Sequence, residues 1–196
     1  MSPTRRTILT AFLAAPALSV LGDVPGLAQG EQLSLPRTPA CDDEHELTTA
    51  QTEGPYFKPD APLRHDLVSH SPVAESIIIA GFVLDTACRP VPGALVQVWH
   101  ADSTGAYDNA GYRFRGFHYA DERGRWWFST IVPAAYPGRT RHYHFKVQRP
   151  GDRILTTQLY FPDEALNRRD RLFDERLLLR LQKAADGRFG RYDFIV

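Results

Sequence analysis

His142-Tyr143-His144 places two imidazoles at alternate positions of His142–Gln148, a segment whose residues alternate in character. On a β-strand, alternate residues share a face and lie about 7 Å apart at Cα, so both ring nitrogens can reach one metal ion. A lone strand histidine is ordinarily a satisfied structural residue. A pair at this spacing, beside an arginine-rich loop, is a candidate metal site. Its remaining ligands must come from elsewhere, and the nearby carboxylates belong to turns. Two loop tyrosines are the other oxygen donors: Tyr107 in Gly105-Ala106-Tyr107-Asp108-Asn109, and Tyr136 between Pro133 and Pro137. A phenol of pKa ~10 ligates only where the metal is acidic enough to ionise it. Ferric iron is such a metal, and hard anionic oxygen donors suit it. Taken singly, either tyrosine reads as a rim aromatic of a β fold. A zinc hydrolase built on His142 and His144 is a second metal reading, and it lacks a third His or carboxylate at a persuasive spacing.

The elements that must position these side chains are short and β-prone. Ser76–Asp85 is a strongly β-prone run. Asp85–Pro92 is turn material, and Ala94–His100 alternates as a second strand, expected to run antiparallel to the first. Its Ala94, Val96 and Val98 take one face, and Leu95, Gln97 and Trp99 the other. Asp102–Tyr112 is a loop. Asp121-Glu122-Arg123-Gly124 reads as a hairpin turn into a third strand, Arg125–Thr130. Pro133–Arg139 is loop, His142–Gln148 and Arg153–Phe161 are strands, and Phe189–Val196 is a final strand. Arg171–Ala185, with Leu172 and Leu177–Leu179, carries the one helical period. Turn residues between these runs predict a mostly β chain: a single β-sandwich domain, residues 51–196, with a short C-terminal helix. Residues 29–50 form an irregular N-terminal segment.

The 196 residues include 23 basic and 23 acidic side chains, so no polybasic field draws in nucleic acid. Hydrophobic residues at 43% place the chain among ordinary globular proteins. Residues 1–28 read as a signal peptide: Arg5 and Arg6, an apolar run Ile8–Leu21 too short to cross a bilayer, then Gly26-Leu27-Ala28. Thr4-Arg5-Arg6-Thr7-Ile8-Leu9 resembles a twin-arginine signal, which carries folded, often cofactor-loaded cargo. The expected destination is periplasmic or secreted, with no membrane span in the mature form. Cys41 and Cys88, the only cysteines, are then expected to form a disulfide. A bridge over so long a loop contributes roughly 4 kcal/mol in the chain-entropy model.

The segment Pro92–Asp102 (PGALVQVWHAD), with Gly105-Ala106-Tyr107-Asp108-Asn109, resembles the intradiol ring-cleavage dioxygenases, the protocatechuate and catechol group. So do Thr130–Phe145 (TIVPAAYPGRTRHYHF), the lead-in Thr52-Glu53-Gly54-Pro55-Tyr56-Phe57, and Leu155-Thr156-Thr157-Gln158. The resemblance runs from about Gln51 to Phe161. It implies a non-haem Fe(III) centre held by Tyr107, Tyr136, His142 and His144, with hydroxide as fifth ligand, Tyr107 and His142 equatorial, and Tyr136 and His144 axial. It further implies that Arg139 and Gln158 are the active-site arginine and glutamine and that Tyr56 lines the substrate pocket. The implied reaction joins a catechol-type substrate to O2 and cleaves the ring between its hydroxyl-bearing carbons. Tyr136 and the hydroxide would accept the two catechol protons, and the product would be a muconate-type dicarboxylate. No NADH or flavin is called for, and no dinucleotide fingerprint is present. Gly138 replaces an aromatic common in the protocatechuate enzymes, and the helical dimerisation domain of the catechol branch is missing. Both departures bear on substrate, not on reaction class. A homo-oligomer is compatible with the resemblance.

The rival from another class is a non-catalytic transthyretin-like β-sandwich binding module, suggested by Gly81–Asp85 followed by Pro92-Gly93-Ala94. Such modules lack the Tyr, Tyr, His-x-His set. His100 is expected to be structural, Trp126 and Trp127 to divide between core and rim, and Arg168–Arg171 to be a solvated face.

Overall fold

A computed structural model describes residues 46–68, 74–184 and 187–196. The signal-type segment 1–28, most of segment 29–50 and Cys41 lie outside the described residues. Among the described residues nine strands form two sheets: β1 Ser76–Leu84, β2 Leu95–Trp99, β3 Arg115–Tyr119, β4 Arg125–Ile131, β5 His142–Gln148, β6 Ile154–Tyr160, β7 Arg180–Ala184, β8 Gly187–Arg191 and β9 Phe194–Ile195. One sheet runs β4-β1-β8-β7, with β9 also pairing β1; the other runs β3-β2-β5-β6. Alternate residues of both sheets fill the space between them. Val96, Val98, Phe145 and Val147 meet Ile77, Ile79, Trp126 and Phe128, all with exposure at or near zero. Trp126 is core and Trp127 is half-buried, as their alternation requires.

Three expectations need correction. First, β2 does not pair with β1. Leu84 bridges Pro90 in a tight turn, Val91 hydrogen-bonds back to Val83, and the chain then crosses to the other sheet. Pro90 and Pro92 have no N–H to extend the first ladder, so the crossing falls there. The Asp121–Gly124 turn likewise carries the chain between sheets, from β3 to β4, and is no hairpin. Second, Arg171–Ala185 is not a helix. Asp174 caps a three-residue 3₁₀ turn, Glu175–Leu177, and β7 follows. Leu177 and Leu179 are buried and Leu178 only partly so, a period of two. Leu179 N–H donates to Tyr160, so sheet pairing overrides helical propensity. The helical structure observed is 3₁₀, here and at Ala165–Arg169. Third, Phe189–Val196 is two strands, both parallel to β1. The break comes at Tyr192-Asp193, where Asp193 accepts the Phe82 N–H. A Cβ on Gly81 would stand 1.7 Å from the Tyr192 carbonyl oxygen, so only glycine admits this crossing.

On β5, Tyr143, Phe145 and Val147 face the core while His142, His144 and Lys146 face outward. The outward face is nonetheless covered. Residues 49–57 lie across it, tied by Gln51 N–H to Thr156, Thr157 Oγ1 to the Thr49 carbonyl and Lys146 to Glu53. His142 and His144 are consequently 2% and 1% exposed.

Candidate metal centre and substrate site

The site is built on the outer face of β5. His142 Nδ1 lies 2.7 Å from the Thr140 carbonyl, which can only accept, so Nδ1 carries the proton and the Nε2 lone pair points inward. His142 Nε2 is 3.2 Å from His144 Nε2. His144 stacks on Trp99 of β2 at 4.9 Å and 7°, across the ladder that pairs the two residues. Its Nδ1 is buried without a hydrogen-bond partner.

Two loops bring the tyrosines to this pair. Asp102 shapes the first, accepting the N–H groups of Thr104 and Ala106. Asp108 closes it on Gly111 and Arg113. The second turns through Tyr136–Arg139. The loops are stitched by Ala134 N–H to the Asp102 carbonyl at 2.9 Å. Gly105, at φ +88, lets them touch: a Cβ there would lie 2.9 Å from the Ala135 carbonyl oxygen. Tyr136 Oη reaches within 3.5 Å of His142 Nε2. The Tyr107 ring centroid lies 5.9 Å from that of Tyr136 and 6.3 Å from that of His144. Tyr107 Oη is buried and has no hydrogen-bond partner. Tyr56, on the lead-in segment, stacks on Tyr107 at 4.4 Å and meets Tyr136 edge-on.

Burial, then the neighbouring Tyr136, raises the Tyr107 phenol, and burial raises Tyr136. Burial, with Arg139 next, lowers His142 to about 4, and burial followed by the nearness of His142 holds His144 well below its ordinary value. Left to themselves, then, these are neutral imidazoles offering lone pairs and neutral phenols. The Tyr107 oxygen has nothing to bind, the two Nε2 atoms face each other, and one cation would satisfy all three together. No cluster of three or more His, Cys, Asp or Glu occurs among the described residues, so the zinc-hydrolase reading still lacks its third ligand. The two phenols make this donor set suit a hard, strongly acidic cation such as Fe(III).

Arg139 lies close enough to act electrostatically on Tyr136, His142 and His144. Its Nε donates to both oxygens of Asp170, at 2.9 and 3.2 Å, and a terminal nitrogen donates to Gln158 Oε1. Gln158 is opposite His144 in the β5–β6 register and fully buried. Its amide is committed on both sides: Oε1 also accepts from Tyr160, and Nε2 donates to the Thr52 carbonyl. His100 is structural, bonded to the Ala101 carbonyl and Thr130 Oγ1.

Every site residue read from the sequence, save the cysteines, thus falls in one place. Cys88 stands in the β1–β2 turn, away from β5. Two residues escaped the sequence reading. Arg115, 1% exposed, donates to the carbonyls of Tyr56 and Asp108, and its guanidinium lies 6.0 Å from the Tyr107 ring centroid. Asp170 sits within Arg168–Arg171, where the arginines are exposed as expected and Asp170 is buried. The inward turn of Asn167 and Asp170, three apart on a 3₁₀ turn, was the available signal.

A family model described as Dioxygenase matches residues 52–195. Among curated relatives, the protocatechuate 3,4-dioxygenase beta chain of Burkholderia cepacia is 32% identical over 167 residues, 68% of this chain and 70% of that one. The hydroxyquinol 1,2-dioxygenase of Rhizobium sp. (strain MTP-10005) is 30% identical, over 57% of this chain and 47% of its own length. The chain thus spans about half the length of some curated relatives it matches. Among solved structures, the dioxygenase domain of a dioxygenase–carbohydrate-binding protein fusion from Streptomyces sp. SirexAA-E is 48% identical. It has a TM-score of 0.75, covering 77% of this chain and 98% of that one. The 3-chlorocatechol 1,2-dioxygenase of Rhodococcus opacus 1CP is 30% identical with a TM-score of 0.70, covering 80% and 74%.

Proposed function

Since the chain belongs to the intradiol ring-cleavage dioxygenase family, we propose that it opens a catechol-type ring between the two hydroxyl-bearing carbons. Both atoms of O2 would enter a muconate-type dicarboxylate. Tyr107, Tyr136, His142 and His144 would hold Fe(III). The observation that carries this reading is the convergence of two neutral imidazoles and two phenols, with the Tyr107 oxygen buried and unpartnered. When bound, the ferric ion supplies a Lewis acid that ionises the phenols and draws electron density from the chelated substrate.

The chain's own residues do the rest. Thr140 fixes the His142 tautomer. Tyr136, whose oxygen faces His142, would, once ionised, accept one of the two catechol protons. Tyr107, gripped between Tyr56 and its own loop, stays in place. Tyr56 offers an aromatic wall for the substrate ring. Arg139, paired with Asp170, presents a fixed N–H donor to developing negative charge. Gln158, its amide committed, serves by holding Arg139.

Oxygen uptake against a panel of catechols, with mass spectrometry of the products, tests the proposal. One O2 per ring and a gain of both oxygen atoms are expected. Absence of uptake across the panel, or cleavage outside the diol, would refute it. The pure protein should be red to burgundy from phenolate-to-iron charge transfer; a colourless, zinc-loaded, iron-free preparation would refute the metal assignment.

We also propose export in folded form by the twin-arginine-type segment Thr4–Leu9, and a bridge between Cys41 and Cys88. In support of the bridge, there is no free cysteine among the described residues. Cell fractionation with sequencing of the mature N-terminus checks the first. Thiol titration of the denatured, unreduced protein checks the second, and two titratable thiols would exclude it.

A further inference from the structure

We propose that Asp170 is a positioning residue that sets Arg139 directly and His142 through Thr140, an inference that rests on the functional reading above. Asp170 is the residue on which the 3₁₀ turn Ala165–Arg169 ends. Its side chain is 1% exposed, yet it is fully occupied. It accepts Arg139 Nε, the Thr140 N–H at 2.9 Å and the Leu172 N–H at 2.9 Å. A carboxylate so enclosed, with a charge partner and two backbone donors, is a fixed anchor that cannot turn without stranding a donor.

Thr140 stands between the two functional residues and is held on every polar atom. Its N–H is on Asp170, its Oγ1 donates to Asn167 at 2.7 Å, and its carbonyl takes the Nδ1–H of His142 at 2.7 Å. Asn167 is in turn bound to the Phe161 carbonyl at 2.9 Å. Asn167 and Asp170 together therefore orient an imidazole on one side and a guanidinium on the other. Arg139 has Nε on Asp170 and a terminal nitrogen on Gln158; two fixed points set the plane of a guanidinium. Asp170 also cancels the charge of Arg139, leaving a directed donor in place of a mobile cation.

The test compares Asp170→Asn in the wild-type and in the Arg139→Gln backgrounds, using oxygen uptake with the best catechol of the panel. Asparagine loses the charge and keeps one acceptor oxygen, which can serve the Thr140 N–H; the Leu172 N–H, bonded to the other oxygen, loses its acceptor. In the wild-type background kcat/KM should fall roughly 10²-fold, the scale of a misplaced catalytic group, with iron content retained. In the Arg139→Gln background the same change should cost less than about threefold, since partners in one network are not additive. Equal losses in the two backgrounds, or wild-type kinetics in Asp170→Asn, would overturn the proposal. Asp170→Ala removes the Thr140 acceptor too and should weaken iron retention against a chelator by ~10-fold or more. Unchanged retention would remove the His142 arm. A readout independent of turnover is the Arg139 Nε–H signal in 15N spectra, assigned by its loss in Arg139→Gln. It should exchange slowly in the wild type and vanish in Asp170→Asn. If the wild type consumes no oxygen with any catechol, the functional reading fails. The signal then decides alone: its persistence in Asp170→Asn would overturn Asp170's hold on Arg139.

Discussion

Arg115 and Arg139 each bring a guanidinium to the candidate site, and only Arg139 meets a carboxylate there. Arg115 spends its bonds on two carbonyls, those of Tyr56 and Asp108, and one terminal nitrogen is buried without a partner. The Tyr107 loop thus has beside its ring a guanidinium hydrogen-bonded to carbonyls alone, while the Tyr136 loop has an ion pair beside its own. A buried cation is costly unless an anion faces it. Burial raises both phenols; against it, both guanidiniums favour an ionised Tyr107, and Arg139 favours an ionised Tyr136. The two loops also differ at their feet. The Tyr107 loop starts from His100, a titratable group. The Tyr136 loop ends on Thr140, whose N–H rests on Asp170, a carboxylate that, despite its burial, the Leu172 and Thr140 N–H groups and Arg139 hold below its ordinary value.

The largest effect expected from this contrast is kinetic. Tyr136→Phe removes a proton acceptor and should slow turnover by ~10²–10⁴-fold while iron remains bound. Anaerobic visible spectra separate the two tyrosines. Tyr107→Phe should alter the tyrosinate band of the substrate complex as well as of the resting protein, and Tyr136→Phe that of the resting protein alone. The opposite pattern would exchange their roles.

Acid should act on the Tyr107 side. Burial lowers His100 to about 4 from its ordinary 6.5. A folded-state value below the unfolded one means that the stabilisation is whole above pH 6.5 and is lost as the pH falls towards 4. From pH 7 to pH 4.5 the loss should be roughly 2–3 kcal/mol. Urea melts of the wild type and His100→Gln at the two pH values should show the variant losing less. An identical loss in both would place the acid sensitivity elsewhere, His118 being the other buried histidine outside the metal set lowered to about 4.

How much of this could be read beforehand depends on whether the signal was local. The His142/His144 alternation and the Gly- and Pro-flanked tyrosines are written in a few adjacent residues, and the structure places them together. Gln158 was read from the family resemblance, and the antiparallel ladder then sets it opposite His144. Asp170 and Arg115 were not legible, because a charged residue within a polar run looks the same whether it faces in or out. Arg115-Gly116-Phe117-His118-Tyr119 has no β-branched residue to mark a strand and passed unnoticed as β3. The leucines at 177–179 suit a helix until one knows that Tyr160 waits beside them with an unpaired carbonyl.

Arg115→Met would sharpen the comparison on the stability side. It leaves two carbonyls without their donor and should cost about 2 kcal/mol, read as a lower Tm, together with a shifted charge-transfer maximum. An unmoved spectrum would mean that Arg115 only braces the loop. The smallest effect should be that of Glu53→Gln. Its ion pair with Lys146 is half exposed on the Glu53 side, so the change should cost under ~1 kcal/mol in a chemical melt. A much larger loss would show that the lead-in segment hangs on that ion pair and not on its backbone ties to β6.

The pairing of β1 has a temporal side. Ile77 finds Arg188, and Val83 finds Phe194, as parallel neighbours drawn from the far end of the chain. During synthesis β1 and β4 can zip early, but the other flank of β1 stays open until residues beyond 187 have left the ribosome. Contacts of such high order close slowly, and for that interval an apolar strand presents an unsatisfied edge to whatever is nearby. A chain built this way gains from a chaperone's cover until its last strands arrive, and shortening it by even the residues of β8 and β9 would leave that edge open for good.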